Sequence, residues 1–148
     1  MLNNSTIKQQ IGARLQSLKR GQTGYLVVQD VDSFKKINDT NGHLFGDAVL
    51  CSFADELSNI FPEALKGRIG GDEFVFYVED MDREQLEEKL KQLNRCMSDR
   101  YDDDKTGLHI SCSLGAAVTD GTVTDYNLLF QWADAALYQV KSKGKGAY

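Results

Sequence analysis

Three short stretches carry residues whose types and spacing could do chemistry. The first is Asp30-Val31-Asp32, at the end of the apolar run Tyr25-Leu26-Val27-Val28. In an extended chain, residues two apart project to the same side. Two carboxylates so placed repel each other unless a cation joins them. A hard divalent ion with oxygen ligands, such as Mg²⁺ or Mn²⁺, is the matching partner. The second stretch is Gly70-Gly71-Asp72-Glu73. Residues without side chains let a phosphate approach the backbone N–H groups, and the two acids could complete a metal site begun by Asp30. The third is the lysine-rich end, Lys141, Lys143 and Lys145, with no acid among them. Lysines supply point charges for phosphates. Each stretch also fits a plainer reading: an acidic loop, a glycine hairpin turn with positive φ angles, and cations at a helix C-terminus. For Lys143 the helix terminus is the preferred account.

Between the first two stretches, Asn38 and Asp47 could read a base edge. A carboxylate accepts from N–H groups, and an amide both donates and accepts. Either residue could instead cap a helix. His43, taken alone, fits a structural hydrogen-bonding role.

The elements that must position these groups are read from apolar periodicity. Ile7, Ile11, Leu15 and Leu18 mark one face of a helix, and Gly21 and Gly24 end it. Tyr25 to Val28 predicts a strand buried on both faces. A short helix is expected over 34–39, with a turn at Asn41-Gly42. A second helix runs from about Gly46, with Val49, Leu50, Phe53, Leu57 and Ile60 inward. Arg68-Ile69 and the strand 72–78 bracket Gly70-Gly71 as a hairpin. Leu86, Leu90, Leu93 and Met97 predict a further helix, and 108–118 one or two strands. Leu128, Leu129, Trp132, Ala136 and Leu137 predict the last helix. Alternating helices and strands, with a hairpin among them, predict an α/β fold around a mixed sheet.

Composition narrows the function. The chain has 148 residues, 22 acidic and 17 basic, for a formal charge of −5. That suits one domain and argues against a general nucleic-acid binder, which carries a basic excess. The three cysteines, Cys51, Cys96 and Cys112, are odd in number and form no CxxC. A disulfide framework or zinc site is therefore not expected, and a reducing compartment fits. No apolar stretch approaches the ~18 residues of a membrane span, and there is no signal segment. There is one proline, Pro62, and the sequence has neither repeat nor linker.

Taken together, the motifs resemble the GGDEF domain family of bacterial diguanylate cyclases. The pentapeptide Gly70-Gly71-Asp72-Glu73-Phe74 is intact, and chance gives such a match in roughly one chain in ten thousand of this length. Upstream stand Asp30-x-Asp32-x-Phe34-Lys35-x-Ile37-Asn38-Asp39, then Gly42-His43, then Gly46-Asp47 and Leu50. Ser113-x-Gly115 and Ala133-Asp134-x-Ala136-Leu137-Tyr138-x-x-Lys141 match later landmarks. The resemblance covers nearly the whole chain.

The resemblance implies a five-stranded, largely antiparallel sheet wrapped by helices, like the palm of nucleotide cyclases and polymerases. It implies condensation of two GTP to cyclic di-GMP with release of pyrophosphate. Asp30 and the Val31 carbonyl would bind Mg²⁺, with Mn²⁺ as the alternative ion. Asp72 would bind metal and help deprotonate the attacking 3′-hydroxyl, and Glu73 would support that site. Asn38 and Asp47 would read guanine, with Phe34 and His43 also at the nucleotide. Lys35, Lys141 and Lys145 would neutralise phosphate, and Gly70 and Gly71 would admit the α-phosphate region. Activity would need a second copy of the domain. The family further implies a cytoplasmic location and an upstream sensory or receiver domain, so that residues 1–148 are expected to be one GGDEF domain, either excised from a larger signalling protein or with the protein truly starting here. A GTP-binding regulatory domain without catalysis is the alternative.

Three departures stand out. The family's product-inhibition motif, Arg-x-x-Asp, is replaced by Phe61 and Ala64, although Arg68 before the signature is retained. The family's Asp-x-Leu-Thr entrance segment is absent, and Leu2-Asn3-Asn4 resembles only part of the Leu-x-Asn-Arg-like stretch next to it in the family. Lys145 stands where arginine is common, which forfeits bidentate phosphate geometry.

Overall fold

The computed structural model describes residues 3–103, 105 and 107–143. Its elements run α1 (Asn4–Ser17), β1 (Gly24–Val31), α2 (Phe34–Asn41), α3 (His43–Ile60), β2 (Leu65–Arg68), β3 (Glu73–Glu79), α4 (Arg83–Tyr101), β4 (Cys112–Thr119) and α5 (Tyr126–Lys143). Among the described residues no helix is long and apolar enough to cross a membrane.

The strands order as β2-β3-β1-β4, and every pairing is antiparallel. The expected α/β fold with helices around a largely antiparallel sheet is found; among the described residues the sheet has four strands, all antiparallel, where five with some mixed pairing were expected. The reason is topological. β1 and β2 run the same way, but β3 lies between them, so no parallel pair forms. Leu108 belongs only to an isolated bridge with Asp103, and β4 begins four residues later.

All eight residues of β1 are buried, as its apolar run predicted. Tyr25, Val27 and Val31 pack with the α3 and α4 side chains Val49, Phe53, Leu57, Leu90, Leu93 and Met97. Leu26 and Val28 pack on the other side, with Ile7, Ile11 and Leu15 of α1 and Leu129, Ala133 and Leu137 of α5. The result is three layers, helix–sheet–helix, with two apolar cores sharing one sheet.

Some boundaries differ from expectation. α3 starts at His43, three residues before Gly46, because Gly42 at φ 90° breaks the chain just ahead of it. On α5 the inward face is Tyr126, Leu129, Ala133 and Leu137, while Trp132 is 46% exposed. The signature is not a two-residue turn. β2 ends at Arg68 opposite Phe74, and the N–H groups of Ile69 and Gly70 both donate to the Glu73 carbonyl. Neither Gly70 nor Gly71 adopts a positive φ, so a wider loop makes the reversal.

Candidate functional site

The end of β1 carries the acids. Asp30 stands directly opposite Glu73 of β3, and Ser113 of β4 faces it from the other side. Asp30 is only 5% exposed. Its Oδ2 accepts from the Lys141 ammonium, in the last turn of α5, and its Oδ1 is buried without a partner. Burial pushes the Asp30 carboxyl up. Lys141 opposes this, while Asp72 and Asp32 add to it. Glu73 is pushed up by burial and then by Asp30, Asp134 and Asp72. Burial works against the Lys141 charge, but Asp30 outweighs it and holds the ammonium above its usual range.

Asp32 behaves differently from the paired carboxylate expected of it. Ser113 Oγ donates to its Oδ1 and Ser111 Oγ to its Oδ2, each at 2.5 Å. Two hydroxyl donors therefore meet its carboxylate oxygens. The concentrated negative charge falls on Asp30, Asp72 and Glu73. Val31 turns its side chain into the core, and its N–H donates to the Asp72 carbonyl at 3.4 Å.

Arg68 grips the signature loop from within. Its Nε lies 3.1 Å from the Gly70 carbonyl and 3.0 Å from that of Gly71, and its Nη2 also donates to Gly71. A Cβ on Gly70 would sit 3.2 Å from Glu73 Oε2, whereas one on Gly71 would meet open space. Gly71 thus leaves room beside Asp72 for a bulky group.

A second cluster lies on α2 and α3. Asn38 Oδ1 is buried without a partner, and a Cβ on Gly46 would coincide with it. The ring of Phe34 closes the same corner, at 3.2 Å from that hypothetical Cβ. Lys35 on α2 and His43 and Asp47 on α3 are exposed. The capping alternative is removed for both base-reading candidates: Ser33 is the N-cap of α2 and Gly42 that of α3. Asn38 sits inside α2 and Asp47 on the first turns of α3. Lys143 closes α5 in its last turn, in keeping with a helix terminus. Lys145 lies outside the described residues.

The structure thus gathers Asp30, Asp72, Glu73 and Lys141 at one end of the sheet, and Phe34, Asn38 and Asp47 on the adjoining helices. Three roles escaped the sequence reading, although Asp134 and Arg68 stand among its landmarks. Ser111, alternating with Ser113, shares Asp32. Asp134, seven residues before Lys141 and so on the same side of α5, adds charge near Glu73. Arg68 is legible as a retained position before the signature, but its grip on the loop carbonyls is not.

An antiparallel sheet thus carries a carboxylate pair across its central strands, with a helix-borne lysine on Asp30. The chain belongs to the GGDEF domain family: the family model described as diguanylate cyclase, GGDEF domain matches residues 1–147. The chain is 32% identical over 136 residues to the probable diguanylate cyclase DgcT of Escherichia coli, covering 88% of this chain and 30% of that protein. It is 36% identical over 126 residues to the diguanylate cyclase DgcS of Shewanella oneidensis, covering 83% and 40%. It thus spans less than half the length of these relatives. Among solved structures, it resembles the GGDEF domain of DgcB from Caulobacter crescentus in complex with cyclic di-GMP. The TM-score is 0.85 at 27% identity, over 99% of this chain and 89% of that one.

Proposed function

We propose that this domain condenses two GTP to cyclic di-GMP, with Mg²⁺ as the preferred ion, across a dimer. The observation that carries the reading is the charge cluster at the end of β1: Asp30 opposite Glu73, Asp72 within electrostatic reach, and Lys141 on Asp30.

The donor set fits a hard cation. Its groups are all oxygen, and Asp30 Oδ1 is a buried acceptor with no partner. Among the described residues no three of His, Cys, Asp or Glu form a ready-made cage. Mg²⁺ commonly keeps waters and completes its sphere with substrate phosphates. Asp30, the Val31 carbonyl, Asp72 and Glu73 would hold it. When bound, such an ion stabilises charge on phosphate oxygens and lowers the pKa of a nearby hydroxyl.

The chain's own groups do the rest. Asp72 accepts the proton of the 3′-hydroxyl as its oxygen forms a bond to the α-phosphorus of the other GTP. The bond to pyrophosphate breaks and carries the electron pair away. Lys35, Lys141 and Lys145 offset phosphate charge, and Gly70 and Gly71 leave the α-phosphate room. Asp47 accepts from guanine N1–H and N2–H, and Asn38 supplies its buried oxygen. His43 borders the nucleotide. Adenine presents an acceptor at N1, so GTP is preferred over ATP. One domain holds one GTP, so closing the ring takes two domains face to face, as in a homodimer formed at least transiently.

The test is incubation of concentrated protein with GTP and Mg²⁺, reading cyclic di-GMP by mass-resolved chromatography. Product is expected. GTP binding without product, even after fusion to a constitutive dimeriser, would replace this reading with that of a silent regulatory domain.

Replacing Gly46 by alanine adds a methyl where the Asn38 oxygen lies. Alanine is the better helix former by about 1 kcal/mol, so stability should hold while Asn38 is pushed aside. The KM for GTP should rise by about tenfold, the cost of one lost hydrogen bond to the base. Steady-state kinetics beside a thermal melt checks both halves.

Added cyclic di-GMP should leave initial rates unchanged. Phe61, at the first position of the family's inhibitory motif, is 2% exposed with its ring 4.9 Å from that of Phe76. The nearby cations are engaged as well: Lys66 Nζ donates to the Phe61 carbonyl and Lys89 Nζ to that of Ile60, both at 2.9 Å. Rates that fall with product at micromolar levels would contradict this.

A further inference from the structure

We propose that Lys141 is the resident counter-ion of the cation site: a divalent cation must displace it from Asp30, and nucleotide phosphate draws it away. The proposal rests on the proposed role of Asp30 as a cation ligand.

A carboxylate this buried, with Asp32, Asp72 and Glu73 around it, needs a positive charge nearby. That charge comes from Lys141, 111 residues further along the chain. The pair is asymmetric. The Asp30 side chain is 7% exposed and that of Lys141 is 36% exposed. Asp30 is fixed in a central strand, whereas Lys141 reaches it on a flexible four-carbon stem from the last turn of a helix. The partner free to leave is therefore the lysine.

The ammonium holds Oδ2 of Asp30 and leaves Oδ1 open, so a divalent cation on Oδ1 competes with it through charge repulsion across one carboxylate. Placing the ion on Asp30 while Lys141 stays would set a divalent cation and an ammonium side by side in a poorly hydrated corner. Lys141 must then find another anion. Asp134 lies seven residues earlier on the same side of α5, close enough to Glu73 to act on its carboxyl. Nucleotide phosphate is the stronger attractor. Each ligand therefore removes an obstacle to the other: phosphate frees Asp30 for the cation, and the cation frees Lys141 for phosphate. Linkage of this kind is reciprocal.

The test reads cation binding rather than turnover. Mn²⁺ is titrated into the whole chain without nucleotide, with free Mn²⁺ followed by electron paramagnetic resonance. Wild type, Lys141→Met and Lys141→Arg are compared, with Asp30→Asn as the control that removes the ligand. Lys141→Met is expected to bind Mn²⁺ about tenfold more tightly than wild type, inside the range usual for coupled sites. Lys141→Arg should remain near wild type. A GTP analogue with a methylene for the α–β bridging oxygen should tighten Mn²⁺ binding in both wild type and Lys141→Met, since its phosphates ligate the ion, but by a larger factor in wild type, where it also draws Lys141 away. Equal or weaker Mn²⁺ binding by folded Lys141→Met overturns the counter-ion role. Should Lys141→Met fail to fold, the absence of any tightening by the analogue in wild type overturns it instead. Failure of wild type to bind Mn²⁺, with or without the analogue, removes the cation site itself and the proposal with it. Mn²⁺ binding that is retained but insensitive to Lys141 removes the proposal alone.

Discussion

Asp72→Ala is expected to lower cyclic di-GMP formation by about 10²–10⁴-fold, the range for removal of a positioned acid–base group. The fold should tolerate the change. Among the described residues the Asp72 side chain makes no hydrogen bond on which an element depends. Its backbone contact, the carbonyl accepting from Val31 N–H, survives substitution. Arg68 still holds the loop through the carbonyls of Gly70 and Gly71. The melting temperature should even rise slightly, because one member of a like-charged group is removed from beside Asp30 and Glu73. The loss should fall on kcat. The proposed base contacts, Asn38 and Asp47, and the proposed phosphate contacts, Lys35 and Lys141, remain in place, so KM for GTP should change little. A KM that rises with kcat intact would show that Asp72 binds substrate rather than taking its proton.

What the sequence revealed was local. The eight-residue β1 announced itself by its apolar run, and α1, α3 and α4 by faces repeating at three and four residues. Those patterns sit within one element, so one stretch of chain suffices to read them. The site was half legible in the same sense. Asp30, Asp72 and Glu73 could be named as acids at strand ends. What they touch could not be named, because their partners come from distant parts of the chain. Ser111 and Ser113 reach Asp32 across 79 and 81 residues. Asp32 and Asp30 thereby differ in their partners, two serine hydroxyls for one and a lysine for the other. Trp132 was misplaced for a related reason. Leu128, Trp132 and Ala136 share a spacing that fits a buried face, but close packing against β4 selects the face with the small Ala133. Size complementarity across an interface leaves no trace in periodicity alone. Lys145, named at the phosphate, falls outside the described residues.

Gly115→Val should cost about 4 kcal/mol or more, in the range that marks a severe core defect. A domain with typical stability of about 5–15 kcal/mol would then sit near or below its folding threshold. The Ser113-x-Gly115 landmark invites a reading as part of the active site, yet the glycine acts through packing. A Cβ there would strike the Ala133 carbonyl oxygen and the Leu137 backbone nitrogen, with Leu137 Cα at 2.9 Å. These are backbone atoms of a packed helix, so relief requires α5 as a whole to lift off β4. That movement would open the core around Leu129, Ala133 and Leu137. It would also carry Lys141 away from Asp30, since the same helix delivers it. Urea unfolding should show the loss directly, as a transition shifted to low denaturant or no folded baseline at all. Gly71→Val is the matched control, because a Cβ at Gly71 meets nothing within 4 Å. Its stability should stay near wild type while its turnover falls, since the room it fills is the room kept for phosphate. If Gly115→Val were as stable as Gly71→Val, α5 would not be held on β4 by that close approach. The placement of Lys141 would then need another explanation.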